Sequence, residues 1–253
     1  MSAAIRLGCG FVVLSGNHCV QKVTLIMAMI QEATPIIEQL QLQPCADFLS
    51  KSPSRAFTGQ YQGLDISLVV NGTDIIHNVE CVGTQPATLA AYEALSHFQP
   101  GLLINAGTCG AFADKGSTIG AVYLGERIRF FDRRIPMGDY EAYGHGNYLC
   151  PEAVQLAGQL NIPTAIVCTG NALDMSPTDE AILRREPVVN KEMEAAAIAW
   201  VASLWQVPFI AIKSVTDLLD GGQTTADEFM QNLDLAAANL NKTVVRVLDH
   251  LGQ

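Results

Sequence analysis

The chain has 253 residues, a formal net charge of −10, 49% apolar residues and 16% charged ones. That is enough chain and apolar content for one large α/β domain or two small ones. The acidic balance and the lack of any Lys/Arg cluster exclude a dedicated DNA or RNA binder, and no apolar run reaches the length that spans a membrane. Seven cysteines are scattered without a CxxC pair, which fits reduced thiols in the cytoplasm better than a disulfide framework. Five dispersed histidines give no zinc-ligand spacing.

Residues 1–22 carry one early arginine and a short apolar patch, and faintly resemble a signal peptide. Gly and Ser break the patch and no clear cleavage site follows, so an extension ahead of the first strand is the preferred reading. Residues 23–253 then form the domain. VTLIMAM (Val23–Met29) is a continuous apolar run, as expected of a strand covered on both faces. QEATPIIEQLQL (Gln31–Leu42) reads as a helix. Phe57–Val70 alternates around Gln62-Gly63, which predicts a hairpin. A helix over Pro86–Phe98 precedes a buried strand, GLLINAG (Gly101–Gly107), ending in a glycine-bearing turn. Further strands fall at Ile119–Phe130, Thr164–Gly170 and 208–216, with helices at Pro151–Leu160, 192–204 and Thr225–Leu251. Pro, Gly and charge are spread evenly, with no linker or repeat. The expected fold is a single three-layer α/β/α domain with a central mixed, twisted sheet.

In such sheets ligands bind beyond the carboxyl ends of the strands, and polar clusters fall there. Glu32 follows the first strand; it is either a first-turn acid favoured by the helix dipole or a general base at the sheet rim. Asn105-Ala-Gly-Thr-Cys-Gly110 is either a plain tight turn or one whose backbone N–H groups approach a ligand closely. Met193 lies on the apolar stripe of the 192–204 helix, as core or as a ligand contact. Glu194 is at the stripe's edge, and Glu192 reads as solvated. Asp217 ends its strand on the same parity as Lys213 and Val215. A buried Lys–Asp pair could be structural, or could leave a carboxylic acid partly protonated and able to donate.

Taken in order, AMxxE (Ala28–Glu32), NAGTCG (Asn105–Gly110), EMEAAA (Glu192–Ala197) and KSVTD (Lys213–Asp217) closely resemble the nucleoside phosphorylase/nucleosidase superfamily. Within it they look like the 5′-methylthioadenosine nucleosidases. FFDRRIP (Phe130–Pro136), TGNALDM (Thr169–Met175) and the segment from Lys213 to Leu233 look like the plant-type branch. The resemblance implies hydrolysis of the N-glycosidic bond of methylthioadenosine to adenine and methylthioribose, with S-adenosylhomocysteine as a further substrate. It implies that Asp217 protonates the leaving adenine, that Glu32 deprotonates the attacking water, and that Glu194 binds the ribose hydroxyls with Met193 packed on the ribose. Thr108 and Lys213 would position the water, Glu32 or Asp217. Cys109, Gly110 and Leu173 would line the base pocket, with Glu192 and Thr216 adjoining. It implies no metal or organic cofactor, no nucleic-acid or membrane partner, and a homodimer whose subunits complete each other's 5′ pocket.

Three departures stand out. Lys213 occupies a position held by Arg in many bacterial members, as it does in the plant-type branch. Asn171 replaces the usual Asp of the TGD segment, which puts its hydrogen bonding and selectivity in question. Ile30 and Gln31 precede Glu32 where others are polar or acidic. Phosphorylases of the superfamily place Arg after the first strand and before the G[ST]xG segment; Ile30-Gln31-Glu32 and Asn105 stand here instead. A carboxylate at the nucleophile position repels phosphate and activates water. The alternatives are a nucleosidase for a related adenosine such as aminodeoxyfutalosine, a phosphate-dependent phosphorylase, and a nucleoside-binding protein without catalysis. The 5′ side of the pocket decides among the adenosines, and Phe131–Gly146 is its candidate lining.

Overall fold

The computed structural model describes residues 20–222 and 224–253; most of the 1–22 segment lies outside them. The first strand, β1 (Lys22–Met27), is buried from Val23 onward, so both of its faces are covered. Helix α1 (Ile30–Gln39) follows directly. A short strand β2 (Gln43–Pro44) and the hairpin β3 (Arg55–Tyr61) and β4 (Leu64–Val70) come next. Tyr61 pairs with Leu64 across Gln62-Gly63. Both turn residues have positive φ, at 50° and 80°, the backbone that a tight hairpin of matching twist requires. Helix α2 (Thr84–Phe98) leads into β5 (Leu102–Ala111).

β5 corrects the sequence reading. The NAGTCG segment is not a turn but the second half of a ten-residue strand. Glycine is an ambiguous local signal, and here strand pairing on both edges overrides it. β10 (Phe209–Leu218) runs parallel along one edge. On the other edge β1 pairs with Leu102–Asn105, and β9 (Val189–Glu192) pairs with Gly110 and Ala111.

β6 (Val122–Phe130), α3 (Asp139–His145), β7 (Tyr148–Leu149), α4 (Pro151–Leu160), β8 (Thr164–Thr169), α5 (Pro177–Leu183), α6 (Ala195–Trp205) and α7 (Thr225–Leu251) complete the chain. β9 is the missed strand that matters. Its sequence, VNKE, is too short and polar to show a period, yet every residue is buried. It displaces the start of the predicted 192–204 helix to Ala195. The pairings β5–β10, β10–β6, β6–β8, β8–β9 and β9–β5 close one end of the ten-stranded mixed sheet into a ring. α1 packs on α7 and α2 on α6. Among the described residues no helix is long and apolar enough to cross a membrane.

Candidate active site

The parallel strand β1 ends beside Asn105 of β5, while β5 and β10 run on together to Ala111 and Leu218. A cavity of about 280 Å³ opens where β1 stops, along Asn105–Gly110 of β5, a setting and size suited to a small molecule. It gathers the residues given catalytic or binding roles from the sequence: Glu32, Thr108, Cys109 and Gly110; Leu173, Glu192, Met193 and Glu194; and Lys213, Thr216 and Asp217.

Glu32 sits in the first turn of α1 and is 3% exposed. Its Oε1 accepts hydrogen bonds from the Thr108 backbone N–H at 2.8 Å and from the Thr108 hydroxyl at 2.6 Å. Its Oε2 is buried without a partner. Burial pushes the carboxyl above its ordinary value, against the Thr108 bonds and the charge of Lys213. A Cβ at Gly107 would lie 3.6 Å from both Glu32 oxygens and 3.6 Å from Lys213 Nζ. The carboxylate and the ammonium therefore flank one point above β5.

Lys213 does not pair with Asp217. Its Nζ donates to Glu192 Oε2 at 2.8 Å in a fully buried ion pair. The parity argument fails because β10 bulges between Val215 and Asp217, and an extra residue resets the alternation. Val215 joins an apolar cluster with Cys109, Ala111, Tyr123 and Ala165, while Thr216 and Asp217 line the cavity. Glu192 is correspondingly not solvated. Its Oε2 also accepts from the N–H groups of Glu194 and Ala195 at 3.0 and 2.8 Å, and its Oε1 bonds the Thr169 hydroxyl. It caps α6 and neutralises Lys213. Lys213→Met is expected to cost about 3–5 kcal/mol in denaturant unfolding, because it strands a buried carboxylate.

Glu194 is the residue before α6, and its Oε1 accepts from Gly83 N–H at 2.7 Å. Burial, then the adjacent Glu192 charge, push its pKa up to about 7, against Lys213. Asn171 caps α2 beside it: Oδ1 accepts from Thr84 N–H at 2.9 Å, and Nδ2 donates to the Thr84 hydroxyl at 2.9 Å. An amide makes these bonds without a carboxylate, so its replacement of Asp leaves none of them broken.

Asp217 is 3% exposed. Oδ1 accepts from the Thr216 hydroxyl at 2.8 Å, and Oδ2 is buried and has no partner among the described residues. Burial raises its pKa, opposed by Thr216 and by the charge of Lys191. A Cβ on Gly110 would come within 2.4 Å of Oδ2, so glycine serves here as clearance for the carboxyl.

Two placements differ from expectation. Lys191 lines the cavity and was not singled out from the sequence; a lysine at the end of an unrecognised strand gives no local signal. The Phe131–Gly146 segment does not line this cavity. Arg133 and Tyr143 instead border a second one of about 200 Å³ with Thr84, Thr88 and Trp200.

A buried set of carboxylates, two of them with an oxygen unpartnered among the described residues, around a small-molecule cavity in a mixed α/β fold is the arrangement that suits an enzyme acting on a small molecule by acid–base chemistry. The chain matches the Phosphorylase superfamily model over residues 22–249 and belongs to that family. It is 38% identical over 234 residues to the 5′-methylthioadenosine/S-adenosylhomocysteine nucleosidase of Arabidopsis thaliana, covering 92% of each chain. It is 37% identical over 234 residues to the 5′-methylthioadenosine nucleosidase of that plant, covering 92% of this chain and 88% of the relative. The solved apo structure of Arabidopsis thaliana 5′-methylthioadenosine nucleosidase superposes with a TM-score of 0.89 at 36% identity, over 92% of this chain and 97% of the other.

Proposed function

We propose that this enzyme hydrolyses the N-glycosidic bond of 5′-methylthioadenosine to adenine and 5-methylthioribose, a step of methionine salvage, and that it also accepts S-adenosylhomocysteine. The observation that carries the reading is the pair of buried carboxyls in one cavity, Glu32 and Asp217, each with an unpartnered oxygen. The C1′–N9 bond breaks through a cation-like ribosyl group, and its electron pair leaves with adenine. Asp217, whose acid form burial favours, delivers a proton to adenine N7. Glu32, anchored by Thr108, takes a proton from the water whose oxygen attacks C1′. Glu194 accepts from the ribose 2′- and 3′-hydroxyls, and Met193 packs on the sugar. Cys109, Gly110 and Leu173 border the base. The Lys213–Glu192 ion pair holds its cation beside Glu32 and favours the ionised base.

Water rather than phosphate is the nucleophile, because a dianion would have to sit against Glu32 with no arginine among the described residues that line the cavity. Adenine release from methylthioadenosine is expected at the same rate with and without phosphate, measured by coupled oxidation of the base. Accumulation of methylthioribose 1-phosphate would instead make the enzyme a phosphorylase. The same assay on adenosylhomocysteine and aminodeoxyfutalosine ranks the substrates.

The reading extends to residues 23–253 acting as one cytoplasmic domain that works as a homodimer. Exposed Ile75, Ile76, Met137, Tyr140 and Tyr143 support a contact between copies.

A further inference from the structure

Lys191 is a buried cation that the proposed mechanism leaves without a task. It is 5% exposed, and a buried ammonium is costly unless it is paired or hydrogen-bonded. No carboxylate is bonded to it among the described residues. Its Nζ donates instead to two backbone carbonyls, Ala172 O at 2.7 Å and Leu173 O at 2.8 Å. An ammonium has three donors, so one is left beyond these two carbonyls, and the side chain lines the cavity.

The strand register explains the placement. Lys191 on β9 and Asp217 on β10 are both paired with Gly110 of β5, from its two opposite edges. Gly110 has no side chain to separate them, and the unpartnered Asp217 Oδ2 lies over it. The carbonyls that Lys191 holds belong to the segment joining β8 to α5, and Leu173 lines the cavity.

Resting on the hydrolase reading above, we propose that Lys191 is a positioning residue for base departure: it ties the 172–173 backbone to the cavity wall and sets a positive charge beside Asp217. The tie shapes the space the base occupies. The charge acts on when Asp217 gives up its proton, since a nearby cation favours the ionised acid. Other charges face the pair. Asp174, Asp179 and Glu192 act on Lys191 along with Asp217, and Glu228 of α7 acts on Asp217. Glu228 Oε2 is already engaged by the Leu218 N–H at 2.6 Å.

The test uses two variants of the whole enzyme and two readouts. Adenine affinity is measured by titration calorimetry, and the basic limb of the kcat–pH profile is measured with methylthioadenosine. Lys191→Met removes both the donors and the charge. It is expected to weaken adenine binding about tenfold, the cost of losing charge-assisted hydrogen bonds. It should also move the basic limb about one pH unit upward, because Asp217 then holds its proton longer. Lys191→Gln keeps an amide donor and drops the charge. It should show the same limb shift with adenine affinity within about threefold of the parent, and it carries the test if the methionine variant does not fold. Unchanged adenine affinity in a folded K191M, or an unmoved limb in the variants, overturns the assignment and makes Lys191 scaffold. A parent enzyme that releases no adenine from methylthioadenosine overturns the hydrolase reading instead, and the adenine titration still decides Lys191.

Discussion

Asp217→Asn is expected to lower kcat for adenine release by about 10²–10⁴-fold, the worth of a positioned proton donor, with unfolding close to that of the parent. The substitution is nearly isosteric. Its Oδ1 still accepts from the Thr216 hydroxyl, the one hydrogen bond the carboxyl makes. The amide nitrogen takes the place of Oδ2 above Gly110, where only glycine leaves room. What is lost is the transferable proton. The parent profile should fall as pH rises through the pKa of Asp217, since the acid form is the active one, and burial places that limb above the ordinary aspartate range. Steady-state kcat across pH, with circular dichroism as the folding control, checks the result. Near-parent turnover in D217N would remove Asp217 as the acid.

Glu32→Gln is expected to cost a similar factor, about 10²–10⁴ in kcat, with a small change in substrate affinity. The amide oxygen can still accept from the Thr108 N–H and hydroxyl, so the anchor at 2.8 and 2.6 Å has a replacement. The base is gone. The sign of the pH dependence is opposite to that of Asp217. Glu32 works as the anion, so activity falls as pH drops through its pKa, which burial has raised. The acid limb should vanish in the variant. Single-turnover adenine release separates this chemical defect from slow product loss. A parent-like rate in E32Q would mean that the attacking water is activated elsewhere.

The long apolar strands, the hairpin at Gln62-Gly63 and the C-terminal helix were legible because each follows from a local period or turn signal. The motif residues also meet around one cavity, since ordered carboxylate motifs keep their residue types whatever their partners. The roles read for individual charges fared differently. Glu192 looked solvated and is the buried partner of Lys213. NAGTCG looked like a turn and is a strand paired on both edges. The first error traces to β9, four buried residues that close the ring between β8 and β5; the second traces to the pairing of β10 along the whole segment.

Composition and periodicity were therefore enough for an α/β domain with acids at strand and helix ends, and the resemblance carried by the ordered motifs singled out Glu32, Glu194 and Asp217 among them. Only the tertiary structure decided which cation faces which carboxylate. Lys213 went to Glu192 because a single-residue bulge in β10 turned Asp217 away from its parity, and Lys191 came beside Asp217 because both strands meet at Gly110. Residue type is written locally. Register and strand order arise from pairings between segments far apart in the chain, and in a buried site they fix the electrostatics.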